Sequence, residues 1–481
     1  MATSASPNVL LIMVDQWRGD CLSAAGHPVV QTPFLDRLAL SGARFDRAYS
    51  AAPTCIPARV SLMTGLGQVT HGRVGYQDYV PWDYPITLAG EFTRHGYQTQ
   101  AVGKMHFYPE RSQQGFQNVI LHSPTGIIRM ARQHGIDPDQ VDDYLPWLRQ
   151  QLGRDATFFD NGVDSNSYVA RPWDKPEHVH PTNFVATQAA DFLRRRDTDK
   201  PFLLFTSFNA PHPPYDPPSW AMEQYLDAPM PPPPIGDWVD AFSAFDNPRD
   251  PATFVGDIGT RLLHRAQAAY YGHMSHVDQQ INYLLETLAH YGVRDNTYVC
   301  FLADHGEMLG DHHLFRKGFP YEGSARIPLL LTGPGIRPTV NDDSVVELRD
   351  VMPTLLECAG LPIPEHVEGR SFLPLARGEH TEWREILHGE HTLLGQSLQW
   401  LTDGRMKYIW HSSTGREQLF DLRNDPSELR DIAHDEARTR PWRAELIKVL
   451  TGREEGFTDG ARLVPGRPVS PMLAHLRDRL R

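Results

Sequence analysis

Three apolar runs, each stopped by polar residues at its carboxyl end, constrain this chain of 481 residues more than any other feature. Residues 8–14 end at Asp15 and Gln16, residues 201–208 end at Asn209, and residues 296–303 end at Asp304 and His305. Continuous apolar runs, unlike alternating ones, belong to strands buried on both faces, as in a parallel sheet covered by helices. Ligands of such sheets bind outside the carboxyl ends of the strands, so Asp15, Gln16, Asp304 and His305 are placed to meet in one crevice. The expected fold is therefore α/β, with a large mixed, mostly parallel sheet sandwiched by helices.

The remaining chain supplies what such a sheet needs. Residues 32–42 and 86–96 read as helices, residues 45–49 as a short strand, and residues 262–291 as the longest amphipathic helix, its Met, Tyr and His residues serving packing. A strand over residues 98–103 delivers Lys104 and His106, which alternate-residue geometry aims into the same crevice. Residues 107–180 show little periodicity and are expected to form irregular insertions at the pocket rim. Residues 345–360 read as a helix. Beyond it, residues 397–402, 406–411 and 418–422 read as antiparallel strands with a helix near residues 441–450. This divides the chain into residues 1–375 and a smaller C-terminal α+β subdomain, residues 376–481.

A net charge of −13 and a pI near 5.9 speak against nucleic acid or an anionic membrane as a partner. The N-terminus shows no leader pattern and no run is long enough to span a bilayer, so a soluble, cytoplasmic protein is expected. Four cysteines lie far apart without metal-ligand spacing, which implies no disulfide framework. Cys300 and Cys358 read as core residues, and Cys21 has no assigned role.

The chemistry centres on Cys55, Pro57, Arg59, Thr64 and Gly65. A cysteine opening a helix sits where backbone N–H groups favour negative charge, and Pro57 fits the first turn because it lacks an N–H. On its own, Cys-x-Pro more often marks a buried thiol beside a helix start. His212, fixed between prolines, has little backbone freedom.

These residues together resemble the signature of the formylglycine-dependent sulfatases of the alkaline phosphatase superfamily, Cys-x-Pro-x-Arg followed by Thr-Gly. The Lys104-x-His106 pair, the Pro-flanked His212, the Asp304-His305-Gly306 triplet and Lys317 follow in the family's order. The resemblance implies an alkaline-phosphatase-like fold and hydrolysis of small sulfate monoesters of the arylsulfatase kind. It implies that Cys55 is oxidised to formylglycine by a formylglycine-generating enzyme and that Arg59 steadies the aldehyde. Asp15, Gln16, Asp304, His305 and the residue at position 55 would hold one divalent cation, Ca²⁺ by family habit, with Mn²⁺, Mg²⁺ and Zn²⁺ as alternatives. Gln16 departs from the commoner Asp-Asp pair. Lys104 and Lys317 would clamp the sulfate, His106 would take a proton during sulfate release, and His212 or Lys317 would protonate the departing alcohol. Phosphonate monoester and phosphodiester hydrolases share the signature but lack the Lys-x-His pair, and choline sulfatases share the wording around Lys104 and Arg326; both stay as alternatives. Residues 107–180 would choose the organic part of the substrate. The basic tail would face a neighbouring subunit if the chain forms a homo-oligomer.

Overall fold

The computed structural model describes residues 6–480. Its centre is an eight-stranded sheet in the order Asn118–Leu121, Gln98–Gly103, Phe202–Pro211, Asn8–Asp15, Thr297–Ala303, Leu329–Thr332, Ala43–Phe45, Thr339–Asn341. The first five strands run parallel. Leu329–Thr332 then pairs antiparallel, which makes the sheet mixed. Every residue of Asn8–Asp15 and of Thr297–Ala303 is buried. Unbroken burial along a strand requires cover on both faces, so the apolar runs and the helical sandwich explain one another.

Helices supply that cover. In Thr260–His290 the buried residues Leu263, Ala266, Tyr270, Met274, Val277, Ile281, Leu284 and Leu288 recur every three or four positions, one stripe of a 3.6-residue helix. Pro181–Arg195 packs beside it, whereas Leu88–Arg94 and Val351–Cys358 gather around Cys55–Thr64. Cys55–Thr64 is buried along its whole length. It stops at Gly65, whose φ of 68° is left-handed and where a Cβ would come within 2.7 Å of Val367.

A four-stranded antiparallel sheet follows in the order Leu387–Leu393, Gln396–Thr402, Met406–His411, Glu417–Asp421. Its side chains alternate between two cores. Leu398, Trp400, Ile409 and Phe420 pack with Tyr49, Trp238 and Tyr321 of the body. Leu401, Tyr408, Trp410 and Leu419 pack against Leu446 and Leu450 of the helix Glu436–Leu450.

Several expectations need correction. Residues 107–180 are not irregular throughout: they contain the strand Asn118–Leu121 and the helices Thr125–Gln133 and Tyr144–Leu152. The strand expected over residues 45–49 is two short ones, Ala43–Phe45 and Ala48–Tyr49. The helix expected from residue 345 begins with a 3-10 turn at Leu348–Asp350 and becomes α-helical at Val351. Outside these corrections, the tail makes contacts within the chain, with Met472 bridged to Arg73 and the Val74 N–H donating to Pro471. The four cysteines are buried and free. Among the described residues no helix is long and apolar enough to cross a membrane. The expected absence of a leader falls on residues 1–5, outside the described residues.

Candidate active site

The carboxyl ends of two neighbouring central strands and the first turn of the buried helix meet at one point. Asp15 ends one strand, Asp304 and His305 follow the other, and Cys55 opens the helix. One ligand atom from each of these four buried residues lies within 4.8 Å of all the others. Cys55 Sγ is 3.2 Å from His305 Nε2 and 3.8 Å from Asp15 Oδ1. His305 donates from Nδ1 to the Gly306 carbonyl at 2.9 Å, so in the neutral imidazole Nε2 is the free nitrogen facing the cluster. Two carboxylates, an imidazole held in its ligating tautomer and the atom at position 55 make a donor set that fits a divalent cation.

The electrostatics agree. Burial works against a charged His305, but Asp304, Cys55 and Asp15 outweigh it and hold the imidazole above its ordinary value. A spot that favours a proton in this way favours a cation. Burial also opposes ionisation of Asp15, yet Lys104, His212, His305 and Arg59 hold it well below the usual carboxylate range. At Cys55, burial and Asp15 oppose the thiolate, while Lys104, Lys317 and His305 prevail and pull the thiol down. Negative charge at position 55 is therefore stabilised.

Arg59 makes contacts that the sequence did not indicate. Its Nε donates to Asp304 at 2.9 Å, its Nη2 to Asp15 at 3.2 Å, and its Nη1 to the Lys104 carbonyl at 2.6 Å and Ser207 at 3.1 Å. These four hydrogen bonds tie both carboxylates to the sheet. Gln16 adjoins the cluster: its amide nitrogen donates to Glu307, and its carbonyl oxygen accepts from Lys317 Nζ at 2.5 Å. Its φ of 69° is left-handed, a cost of order 1 kcal/mol that the surrounding contacts offset.

A cleft of about 510 Å³ opens above Cys55 and is lined by Lys104, His106, His212 and Lys317 together. Lys104 Nζ pairs with Asp15 and lies 3.8 Å from Cys55 Sγ. Lys317 Nζ reaches His212 Nε2 at 2.6 Å and Asn166 at 3.2 Å. Since His212 donates from Nδ1 to the Pro213 carbonyl at 2.6 Å, its Nε2 is the acceptor in that pair. Burial, then Lys317 and Lys104, push His212 well below its usual value, so the imidazole is neutral. Burial also lowers Lys317, with Cys55 and Asp15 opposing it. His106 is held neutral by burial and by Lys104 and Arg59; its Nε2 lies 3.4 Å from the Tyr76 hydroxyl, which donates to Asp78 at 2.9 Å.

The sequence reading missed Glu307, Tyr76, Asp78, Asn166 and the wall of the cleft. That wall comprises Ile127, Met130, Phe254, Leu393 and Leu394, so the C-terminal sheet as well as residues 107–180 borders the site. Glu307 had a signal, as it stands three residues after Asp304. The others come from segments without a readable pattern. His312, adjacent to His313, packs on Trp238 and lies outside the cleft.

Comparison with known proteins gives the family. The sulfatase family profile matches residues 7–361, and the profile of the N-sulphoglucosamine sulphohydrolase C-terminal region matches residues 310–455. An arylsulfatase of Clostridium perfringens is 46% identical over 98% of this chain and 100% of its own length. A choline-sulfatase of Rhizobium meliloti is 31% identical over 90% of this chain and 83% of its own. The phosphonate monoester hydrolase structure of Agrobacterium radiobacter superposes with a TM-score of 0.74 and 28% identity, covering 92% of this chain and 95% of that one. The chain belongs to the sulfatase family of the alkaline phosphatase superfamily and is a sulfuric ester hydrolase.

Proposed function

We propose that this enzyme hydrolyses aryl sulfates, with position 55 oxidised from cysteine to formylglycine as the nucleophile and Ca²⁺ as the ion held by Asp15, Asp304, His305, Gln16 and position 55. The observation that carries this reading is the setting of Cys55: it opens a buried helix at the floor of the cleft, beside two ammonium groups and the Asp15–Asp304–His305 cluster. The cation would supply Lewis acidity, and the aldehyde would supply an oxygen nucleophile that can later release the sulfate.

The chain's own residues do the rest. Lys104 and Lys317 flank position 55 and hold the sulfate oxygens, opposing the charge that builds as sulfur is attacked. Arg59, paired with Asp15 and Asp304, fixes both carboxylates in direction. Lys317, lowered by burial and hydrogen-bonded to an accepting His212, protonates the departing oxygen. In that division of work His212 aims the lysine. His106, kept neutral, accepts the proton freed when sulfate leaves. The apolar wall suits an aryl leaving group, and the arylsulfatase relative supports the same choice.

Mass spectrometry of the Cys55 peptide from active enzyme tests this directly. The aldehyde is expected; an unmodified thiol in fully active protein would overturn the mechanism. Phosphonate monoester hydrolysis is the competing reading because of the superposition with such an enzyme. Faster turnover of a phenyl phosphonate ester than of an aryl sulfate would favour it.

A further inference from the structure

We propose that Arg316 forms a second anion site in the cleft, and that the preferred substrate carries a carboxylate or similar anionic group on its leaving group in addition to the sulfate. This rests on the aryl-sulfate reading above. Four cationic side chains, Lys104, Arg129, Arg316 and Lys317, line the cleft. Lys104 pairs with Asp15, and Arg129 pairs with Asp164 at 2.8 Å. Lys317 turns to the floor, toward Gln16 and His212. Arg316 is left over.

Its guanidinium lies over the Phe254 ring, 4.0 Å from the centroid, and Nη1 donates to the Ala252 carbonyl at 3.1 Å. Its Nε is buried with no hydrogen-bond partner, and among the described residues Glu307 and Asp250 act on it only as nearby charges, neither within ion-pair distance. Glu307 cannot serve: one of its oxygens accepts from Gln16, and the other from the backbone N–H groups of Leu309 and Arg316 itself. Burial lowers the Arg316 pKa despite Glu307 and Asp250. A half-buried guanidinium without an anion bears a desolvation cost that an incoming carboxylate removes through two parallel hydrogen bonds.

The position says which part of the substrate bears that anion. Lys317 and Arg316 are consecutive, yet they serve different regions of the cleft. Lys317 meets the floor beside Cys55, and Arg316 rests on Phe254, one residue of the apolar wall with Ile127, Met130, Leu393 and Leu394. An aryl ring lying on that wall with its sulfate at the floor presents a ring substituent to the guanidinium. A quaternary ammonium in the same place would be repelled.

The test compares the sulfate esters of meta- and para-hydroxybenzoate with those of the corresponding methyl benzoates. For at least one isomer the wild-type kcat/KM is expected to favour the carboxylate by about tenfold or more. That preference is expected to collapse in Arg316→Met and to survive in part in Arg316→Lys. A second measurement needs no variant: free hydroxybenzoate is expected to inhibit the wild-type enzyme about tenfold more tightly than its methyl ester. Turnover of all the esters without preference, or a preference unchanged in Arg316→Met, would overturn the second anion site alone. Absence of turnover for every ester would remove the aryl-sulfate reading together with it.

Discussion

The floor of the cleft and its wall are built on different supports. At the floor, Asp15, Asp304 and His305 extend from central strands, and Cys55 opens a helix whose ten residues are all buried. Charges there fix one another: Arg59 binds both aspartates, Lys104 binds Asp15, and Lys317 reaches Gln16 and His212. The wall has no such frame. Ile127 and Met130 come from the helix Thr125–Gln133, Phe254 from a segment without regular structure, and Leu393 from an edge strand of the small sheet. Chemistry thus stands on the sheet, where a small displacement costs much, and selection stands on peripheral segments that can vary without moving it.

The largest expected effect tests the floor. Asp304→Asn removes a charge that Arg59 and the cation site share, and we expect kcat/KM for an aryl sulfate to fall by about a thousandfold or more. Thermal melting would show the variant folded. Truncations of the wall, Phe254→Ala and Leu393→Ala, are expected to raise KM by about tenfold each, the worth of one buried apolar contact, and to leave kcat within about threefold. If the wall variants lost kcat as heavily as Asp304→Asn, the two regions would not be separable and the comparison would break.

The same contrast explains what the sequence made legible. Asp15, Asp304 and His305 could be placed because a buried parallel strand writes itself as an unbroken apolar run, and the polar residues ending it have one place to go. Gln98–Gly103 is no such run, since it opens Gln-Thr-Gln; it was legible as the short strand that delivers Lys104 and His106 at its end. The helix Thr125–Gln133 was not, because it is only nine residues long: its apolar positions Ile127, Ile128, Met130 and Ala131 share one side but span little more than a turn, too short a stretch to establish a period. The strand Leu387–Leu393 hides for another reason. Its buried centre is Gly389, Glu390 and His391, with Glu390 held by Arg453 at 2.7 Å, so polar partners do there what apolar residues do elsewhere. Arg59 could be placed in the site, but its hydrogen bonds to Asp15 and Asp304 could not, since spacing along the chain does not show that its guanidinium turns toward the carboxylates.

The smallest expected effect concerns how the wall is anchored. Asp142 is fully buried, with Oδ1 accepting from the Ser123 N–H at 2.8 Å and Oδ2 from the Leu145 N–H at 2.7 Å, and so holds the chain on either side of the helix that carries Ile127 and Met130. Burial pushes its carboxyl up to about 7, and those backbone hydrogen bonds only partly offset the rise. In the unfolded chain the same group titrates near ~3.9. Between these values the folded state keeps a proton that the unfolded state has lost, so stability is highest below the lower value and falls as pH rises toward about 7, by at most about a few kcal/mol. Asp142→Asn cannot titrate and gives up one accepting oxygen, a cost of about 1–3 kcal/mol that does not depend on pH. The melting temperature of the variant should therefore lie furthest below that of the wild type near pH 5 and approach it by pH 8 as the wild type weakens. KM for aryl sulfates should move by less than about twofold, because the wall is loosened without losing a contact residue. A melting gap constant across that range would mean that Asp142 is ionised throughout, and that the wall is anchored by a charge, as the floor is.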